Sequence, residues 1–234
     1  MLKRILIANR GEVAVRIIRA CRELGIETVA IYSEADKEAL HVRLADRAVC
    51  IGPAKMSKSY LNIKNIIETA CLTGCDSIHP GFGFLSENAH FAQICEEIGL
   101  KWIGPSKEMI TLMGNKSKAK ETMEKAGVPV VPGSNGVLKD EKQAEKIAKQ
   151  IGYPVILKAS NGGGGKGIRI VHEENELKGA FRLVKQEAKN SFNDDAIYLE
   201  KFIENPRHIE VQLLADEHGN VVSLGERDCS IQRN

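Results

Sequence analysis

With 234 residues, the chain has material for one large or two modest domains, and its 43% hydrophobic and 27% charged residues are those of an ordinary globular protein. A net charge of +2, with no block of like charges, argues against a nucleic-acid or membrane-surface binder driven by electrostatics. No apolar run reaches the roughly 18 residues that a membrane span needs.

The start, MLKRILIANRGE, is basic, but its apolar stretch is too short for a signal peptide and stops at Asn9-Arg10. RILIA therefore reads as a first strand. EVAVRIIRACREL follows as a helix, with Val13, Ile17, Cys21 and Leu24 at helical spacing and Gly25 as its stop. ETVAIYS and AVCI read as the second and third strands. YLNIKNIIETACLTG is a helix closed by Gly74, DSIHP a strand running into a loop, ENAHFAQICEEIG a helix that Ser86 could cap, and KWIG a last strand. Repeated βαβ units of this length predict a parallel, doubly wound sheet.

Gly104-Pro105-Ser106 closes that unit. Two short helical stretches follow, around 107–113 and 115–126, and AGVPVVPG then stops the helical pattern. A second unit runs from about 131 to 199. DEKQAEKIAKQIG puts Ala144, Ile147, Ala148 and Ile151 on one face, and ENELKGAFRLVKQEAK does the same with Leu177, Ala180, Phe181, Val184 and Ala188. PVILKAS, GIRIV and AIYLEKFI read as strands. HIEVQLLADEHGNVVSLGERDCSI reads as a β-hairpin turning at residues 217–220. A hairpin cannot close a core alone, so the chain is expected to stop inside a third domain.

Six cysteines (Cys21, Cys50, Cys71, Cys75, Cys95 and Cys229) contain no C-x-x-C pair, and reduced structural thiols in a cytoplasm are a better reading than a zinc site. The chemistry centres on SNGGGGKG, residues 160–167. Flanking by two apolar strand patterns is wrong for a flexible linker. A Walker loop needs glycine at its first position, Ser or Thr after the lysine and a helix beyond; this stretch has Ser160, Gly167 and a strand. A strand–glycine loop–strand phosphate cradle is left. Lys158 ends the strand entering it, where it is either a solvated surface lysine or a point charge for a nucleotide phosphate. Lys116, in MGNKSKAK, carries no signal by itself.

The first domain is Rossmann-like in layout, but ILIANRGEVAVR has Gly11 alone in place of a dinucleotide fingerprint. Asp36 after the second strand is a weak ribose-binding signal without those glycines. HPGFGFLSEN, residues 79–88, follows a strand where open α/β sheets bind ligands, and is either a ligand loop or a structural turn. Arg16, Arg19 and Glu23 lie off the apolar face of the first helix, as a solvated face or a subunit contact.

KRILIANRGEVAVRIIRACRELGI, SIHPGFGFLSEN, MGNKSKAK, YPVILKASNGGGGKGIRIV, YLEKFIENPRHIEVQ and GERDCSIQR together resemble the N-terminal half of biotin carboxylase, most closely the stand-alone subunit of bacterial acetyl-CoA carboxylase. The resemblance covers the whole chain. It implies an α/β, ATP-grasp architecture. A Rossmann-like N-terminal domain with a parallel sheet (1–106) would be followed by a helical connection (107–130). An α+β lid domain with the glycine loop (131–199) and the start of an incomplete C-terminal ATP-grasp domain (200–234) would come next.

By the same resemblance, Lys116 and Lys158 are nucleotide-contacting lysines and Gly164 and Gly165 the lid tip over the phosphates. Glu200, Lys201, Phe202 and Ile203 form the segment whose backbone recognises adenine, with His208 near the ribose and phosphates. Phe82 and Gly83 line the biotin pocket, and Arg16, Arg19 and Glu23 match a dimer interface. The family's metal-binding glutamates, catalytic arginine and bicarbonate site lie beyond the CSIQR strand, so no catalytic residue and no metal ligand is expected in this chain, and the chain alone is expected to turn over little ATP. Asn234 stands where the family usually has Arg.

The implied reaction is ATP- and bicarbonate-dependent carboxylation of biotin on a biotin carboxyl carrier protein, the first half-reaction of acetyl-CoA carboxylase in fatty acid synthesis. Magnesium or manganese would accompany ATP, carboxyltransferase subunits would be partners, the full-length form would be a homodimer, and the location would be cytoplasmic, with neither nucleic acid nor membrane as partner. Alternatives are the biotin carboxylase domain of a pyruvate or propionyl-CoA carboxylase, a carbamoyl-phosphate synthetase-like ligase, or a non-catalytic nucleotide-binding or dimerisation fragment.

Overall fold

Apolar runs at the start of the chain become a five-stranded sheet, because strands covered by helices on both faces can be apolar throughout. The structure, a computed structural model, describes residues 2–160 and 167–231 and divides into two units, residues 1–119 and 120–234.

In the first unit the elements are β1 (Arg4–Ile7), α1 (Gly11–Glu23), β2 (Glu27–Ser33), α2 (Leu40–Leu44), β3 (Arg47–Gly52), α3 (Ile63–Leu72), β4 (Ser77–His79), α4 (Ala89–Glu97), β5 (Lys101–Trp102) and α5 (Lys107–Gly114). The sheet order is β3-β2-β1-β4-β5, and every pairing is parallel. Strands are added on one side of β1 as far as β3 and on its other side from β4, which makes the carboxyl ends of β1 and β4 the switch point where such sheets open a crevice. One core face gathers Leu6, Val29, Ile31, Ile78, Phe91 and Trp102, the last two in an edge-to-face contact with centroids 5.4 Å apart. The other packs Ile5 and Ile7 against α1.

Two local expectations shift. The buried stripe of α1 is Ala14, Val15, Ile18 and Cys21, one residue round from the expected one, and Leu24 is 67% exposed. The helix α4 is capped by Asn88, whose side chain accepts from the Phe91 amide at 2.9 Å, not by Ser86. The short α2 follows a tight turn and packs beside α1 without an expectation behind it.

The helix α6 (Lys116–Lys125) carries the chain into the second unit. There α7 (Glu141–Ile151), β6 (Val155–Ala159), β7 (Ile168–Val171), α8 (Glu174–Phe192) and β8 (Ile197–Lys201) form an antiparallel sheet, order β7-β6-β8, with helices on one face. Val155, Leu157, Ile197 and Leu199 point into the core with Ala144, Ala148, Leu177, Phe181 and Val184. The strand β8 continues through Glu200 and Lys201, so both belong to this sheet. The remaining strands, β9 (Ile209–Ala215) and β10 (Val221–Asp228), form the expected antiparallel hairpin. Its Val211, Leu213, Leu214, Val221 and Leu224 are all exposed. No helix among the described residues is long and apolar enough to cross a membrane.

Candidate functional site

Alternation along β6 buries Val155, Leu157 and Ala159 and turns Ile156 and Lys158 to the opposite face. The same period in β8 buries Ile197 and Leu199 and turns Glu200 to that opposite face. The register pairs Ile156 with Glu200 and Lys158 with Tyr198, so Lys158 and Glu200 are diagonal neighbours. The Lys158 Nζ donates to Glu200 Oε2 at 2.9 Å, and Lys120 Nζ, from α6, donates to Oε1 at 3.3 Å.

The three side chains are 31%, 16% and 23% exposed, so their charges are only partly screened. Burial by itself would push the Glu200 carboxyl up. The hydrogen bond and charge of Lys158, with Lys120 beside it, outweigh that and hold the carboxyl below its ordinary range. With both oxygens committed to lysines, Glu200 is not disposed to ligate a metal. Lys120 was missed from sequence, where it is one lysine among four in KSKAKETMEK; only its pairing with a residue 80 positions away singles it out.

Strands β6 and β7 pair antiparallel up to Lys158 opposite Ile168, and Ala159 N–H donates to the Gly167 carbonyl at 2.8 Å. A strand therefore follows the glycine stretch, as the hairpin reading requires and a Walker loop forbids. Gly164 and Gly165 lie outside the described residues.

Lys201 sends its Nζ to the carbonyls of Gly152 and Tyr153, at 3.1 and 2.8 Å. Its amide donates to the Pro132 carbonyl and that of Phe202 to the Pro154 carbonyl. Those two N–H groups are thus taken by the protein and are not open to a ligand. His208 precedes the hairpin, with its amide on Ser230 Oγ at 3.1 Å and its carbonyl accepting from Cys229. Lys116 opens α6. A groove of about 720 Å³, lined from Lys139–Lys142 on one side and Phe181–Asp195 on the other, contains none of the expected site residues; the charge arrangement above is the better guide to chemistry.

In the first unit, Phe82 is 79% exposed at the crest of the loop after β4, and Gly83 beside it has φ 72°. Asp36 is spent internally. It accepts from Tyr60 Oη at 2.7 Å, Ser33 Oγ at 2.8 Å and Arg10 Nη1 at 3.1 Å. Burial pushes this carboxyl up, and those three donors pull it below its ordinary range. Burial and the same bond push the Tyr60 hydroxyl up to about 12. An acid so occupied is not a free ribose ligand. Arg16, Arg19 and Glu23 are exposed on α1. Among the described residues no group of three or more His, Cys, Asp or Glu side chains is arranged to hold a metal.

Residues 1–110 match the family described as biotin carboxylase, N-terminal domain, and residues 115–234 match the carbamoyl-phosphate synthase L chain, ATP binding domain. Biotin carboxylase 1 of Bacillus subtilis is 59% identical over 233 residues, which is 100% of this chain and 52% of that protein. The chain thus spans about half the length of the curated relatives it matches. A biotin carboxylase–β,γ-ATP complex from Campylobacter jejuni superposes with a TM-score of 0.87 at 54% identity, over 100% of this chain and 52% of the other. The biotin carboxylase domain dimer of Hydrogenobacter thermophilus 2-oxoglutarate carboxylase, in complex with MgADP, ADP and bicarbonate, gives 0.84 at 56% identity, over 100% and 51%. Fold, motifs and both halves of the sequence agree: the chain belongs to the biotin carboxylase family, with a biotin carboxylase N-terminal domain followed by an ATP-binding domain of the carbamoyl-phosphate synthase type.

Proposed function

We propose that the protein to which these residues belong is an ATP-dependent ligase that carboxylates biotin held on a carrier protein, using bicarbonate. The observation that carries this reading is the Lys158–Glu200–Lys120 cluster at the mouth of the glycine hairpin. A lysine raised on a sheet beside a glycine loop is a point charge suited to a phosphate oxygen. Glu200 keeps that lysine aimed. The carbonyls of residues 200–203 and the Ile203 amide would meet the adenine edge, His208 the ribose and phosphates, and Lys116, Gly164 and Gly165 the phosphate chain.

In the reaction, a bicarbonate oxygen attacks the γ-phosphorus and ADP leaves, giving carboxyphosphate. Carboxyphosphate breaks to phosphate and carbon dioxide, which N1′ of biotin captures as it loses its proton. Magnesium, when bound with the nucleotide, neutralises phosphate charge. The chain's own contribution is Lys158, which holds developing negative charge, and the loop at Phe82 and Gly83, which would seat the biotin ring. Both exposed and buried cysteines are free, which suits a reducing cytoplasm. Arg16, Arg19 and Glu23 offer an exposed, two-signed face for a homodimer, the state described for the Hydrogenobacter thermophilus relative.

For the downstream acceptor we favour acetyl-CoA, with carboxyltransferase subunits as partners in fatty acid synthesis. A keto-acid carboxylase is the second reading, because the 2-oxoglutarate carboxylase relative is nearly as similar. Reconstitution with each carboxyltransferase separates the two.

The test of the nucleotide site is Lys158→Ala in the full-length protein. Loss of one charge-assisted contact is expected to weaken ATP binding or turnover by about tenfold to a hundredfold. Unchanged nucleotide affinity and unchanged biotin-dependent ATP hydrolysis would remove Lys158 from the phosphate site.

A further inference from the structure

The loop after β4 is held by groups that the reaction above does not use. Gly81, Gly83 and Phe84 have φ values of 66°, 72° and 46°, the last an uncommon backbone for a residue with a side chain. Asn9, from the turn after β1, is 2% exposed behind this loop. Its Nδ2 donates to the carbonyls of Pro80 and Phe82, each at 2.8 Å. Its Oδ1 accepts from the Arg10 amide at 2.9 Å.

The fit is close. A Cβ on Gly81 would stand 2.7 Å from Asn9 Nδ2 and 2.8 Å from Val13 Cγ1. From the other side Gly81 N–H donates to His79 Nδ1 at 3.0 Å, and the Phe84 ring packs on Tyr60 with centroids 5.1 Å apart. Of the two phenylalanines in this loop, Phe84 is thus turned inward and Phe82 is left exposed. A buried primary amide that satisfies two carbonyls of an outer loop fixes the shape of that loop without touching what binds beyond it.

We propose that Asn9 is a positioning residue: it holds Phe82 and Gly83 in the form that receives the biotin ring system. This rests on the reading that these two residues line the biotin pocket. The ordering cost of a five-residue loop is met before the substrate arrives, so it does not weaken binding. Asn9→Asp keeps the shape of the side chain but replaces the donor with a carboxylate facing two carbonyl oxygens. Asn9→Ala removes the clamp altogether.

In the full-length protein, with free biotin as the probe, both variants are expected to raise KM for biotin by about tenfold to a hundredfold, the scale of a small misplacement of a binding group. The KM for ATP is expected to stay within about twofold, because the proposed nucleotide contacts, from Lys116 to His208, lie elsewhere in the chain. Phe82→Ala is run beside them. A folded Asn9→Ala with unchanged biotin KM, while Phe82→Ala raises it, overturns the role of Asn9. Equal rises in the biotin and ATP constants also overturn it, since they report general damage. No effect of Phe82→Ala overturns the pocket reading itself. Should Asn9→Ala fail to fold, Gly81→Ala presses on the same clamp from the loop side and must reproduce the biotin-selective rise, or the proposal fails.

Discussion

The two units build their candidate sites by different means. In the first, shape is set mostly by neutral donors and backbone geometry: Asn9 under the 80–84 loop, glycines at positive φ, and Asp36 enclosed by the Tyr60 and Ser33 hydroxyls, with Arg10 as its one charged partner. In the second, an alternating sheet raises Lys158 and Glu200 on one face, and Lys120 reaches the same carboxylate from α6, so that it is held between two lysines. A site made by packing is rigid and indifferent to salt. A site made by charges can exchange one partner for another, and answers to pH and ionic strength.

The sharpest way to break this contrast is Asp36→Ala. It removes three donors' common acceptor and leaves the mostly buried Tyr60 hydroxyl with only its bond to the Ser33 amide. A stability loss of about 3 kcal/mol is expected by denaturant titration, with only the small NaCl dependence of the one Arg10–Asp36 ion pair. A strong salt dependence would place this network with the charge-built kind.

Acid separates the units next. Burial holds the imidazoles of His41 and His79 below their ordinary 6.5. The unfolded chain takes those protons first, so their contribution is full above pH 6.5 and falls as pH drops from there toward the folded values. Glu200 is likewise depressed, from an ordinary 4.5, and its contribution is lost only below that pH. Between pH 6.5 and 4.5 the first unit is therefore expected to weaken alone, by up to about 1.4 kcal/mol per pH unit for each imidazole. Hydrogen exchange resolved by unit, corrected for intrinsic rates, checks this; joint loss of protection near pH 5.5 would contradict it.

Glu200→Gln keeps the size of the side chain and removes the charge that both lysines face. A cost of about 1 kcal/mol is expected, with a flatter salt dependence of stability than the parent protein shows. An unchanged salt profile would mean that the cluster is too well screened to matter. Of similar size, and the same in both units, are Asn88→Ala and Asp140→Ala, the caps of α4 and α7, which accept from Phe91 and Gln143 amides. Each is expected to lower stability by about 1 kcal/mol, measured by thermal melting, since a cap is worth the same in either unit.

What was legible in the sequence follows the range of the interactions. RILIA, ETVAIYS and DSIHP read as strands because their burial is written in consecutive residues, and α7 and α8 because their stripes repeat at 3.6. The face of α1 was misread by one residue because VAVRIIRAC is apolar on more than one side, so several stripes fit and the sheet decides. Ser86 and Asn88 are both competent caps, and the turns at Leu85 and Asn88 settle which one meets the helix. Lys158 stands out through its neighbours in the chain. Lys120 and Asn9 do not, because their partners lie 80 and more than 70 residues away and no local pattern marks them.

The ion pair on the β6–β8 face has a bearing on turnover. Lys158 cannot give its full charge to a phosphate and to Glu200 at once. On the proposed reading, a nucleotide therefore gains only the difference between two partners, and the carboxylate stands ready to reclaim the lysine. Glu200 then acts as a built-in competitor: it keeps spent nucleotide from lingering and so favours a catalyst that must empty its site once in every cycle.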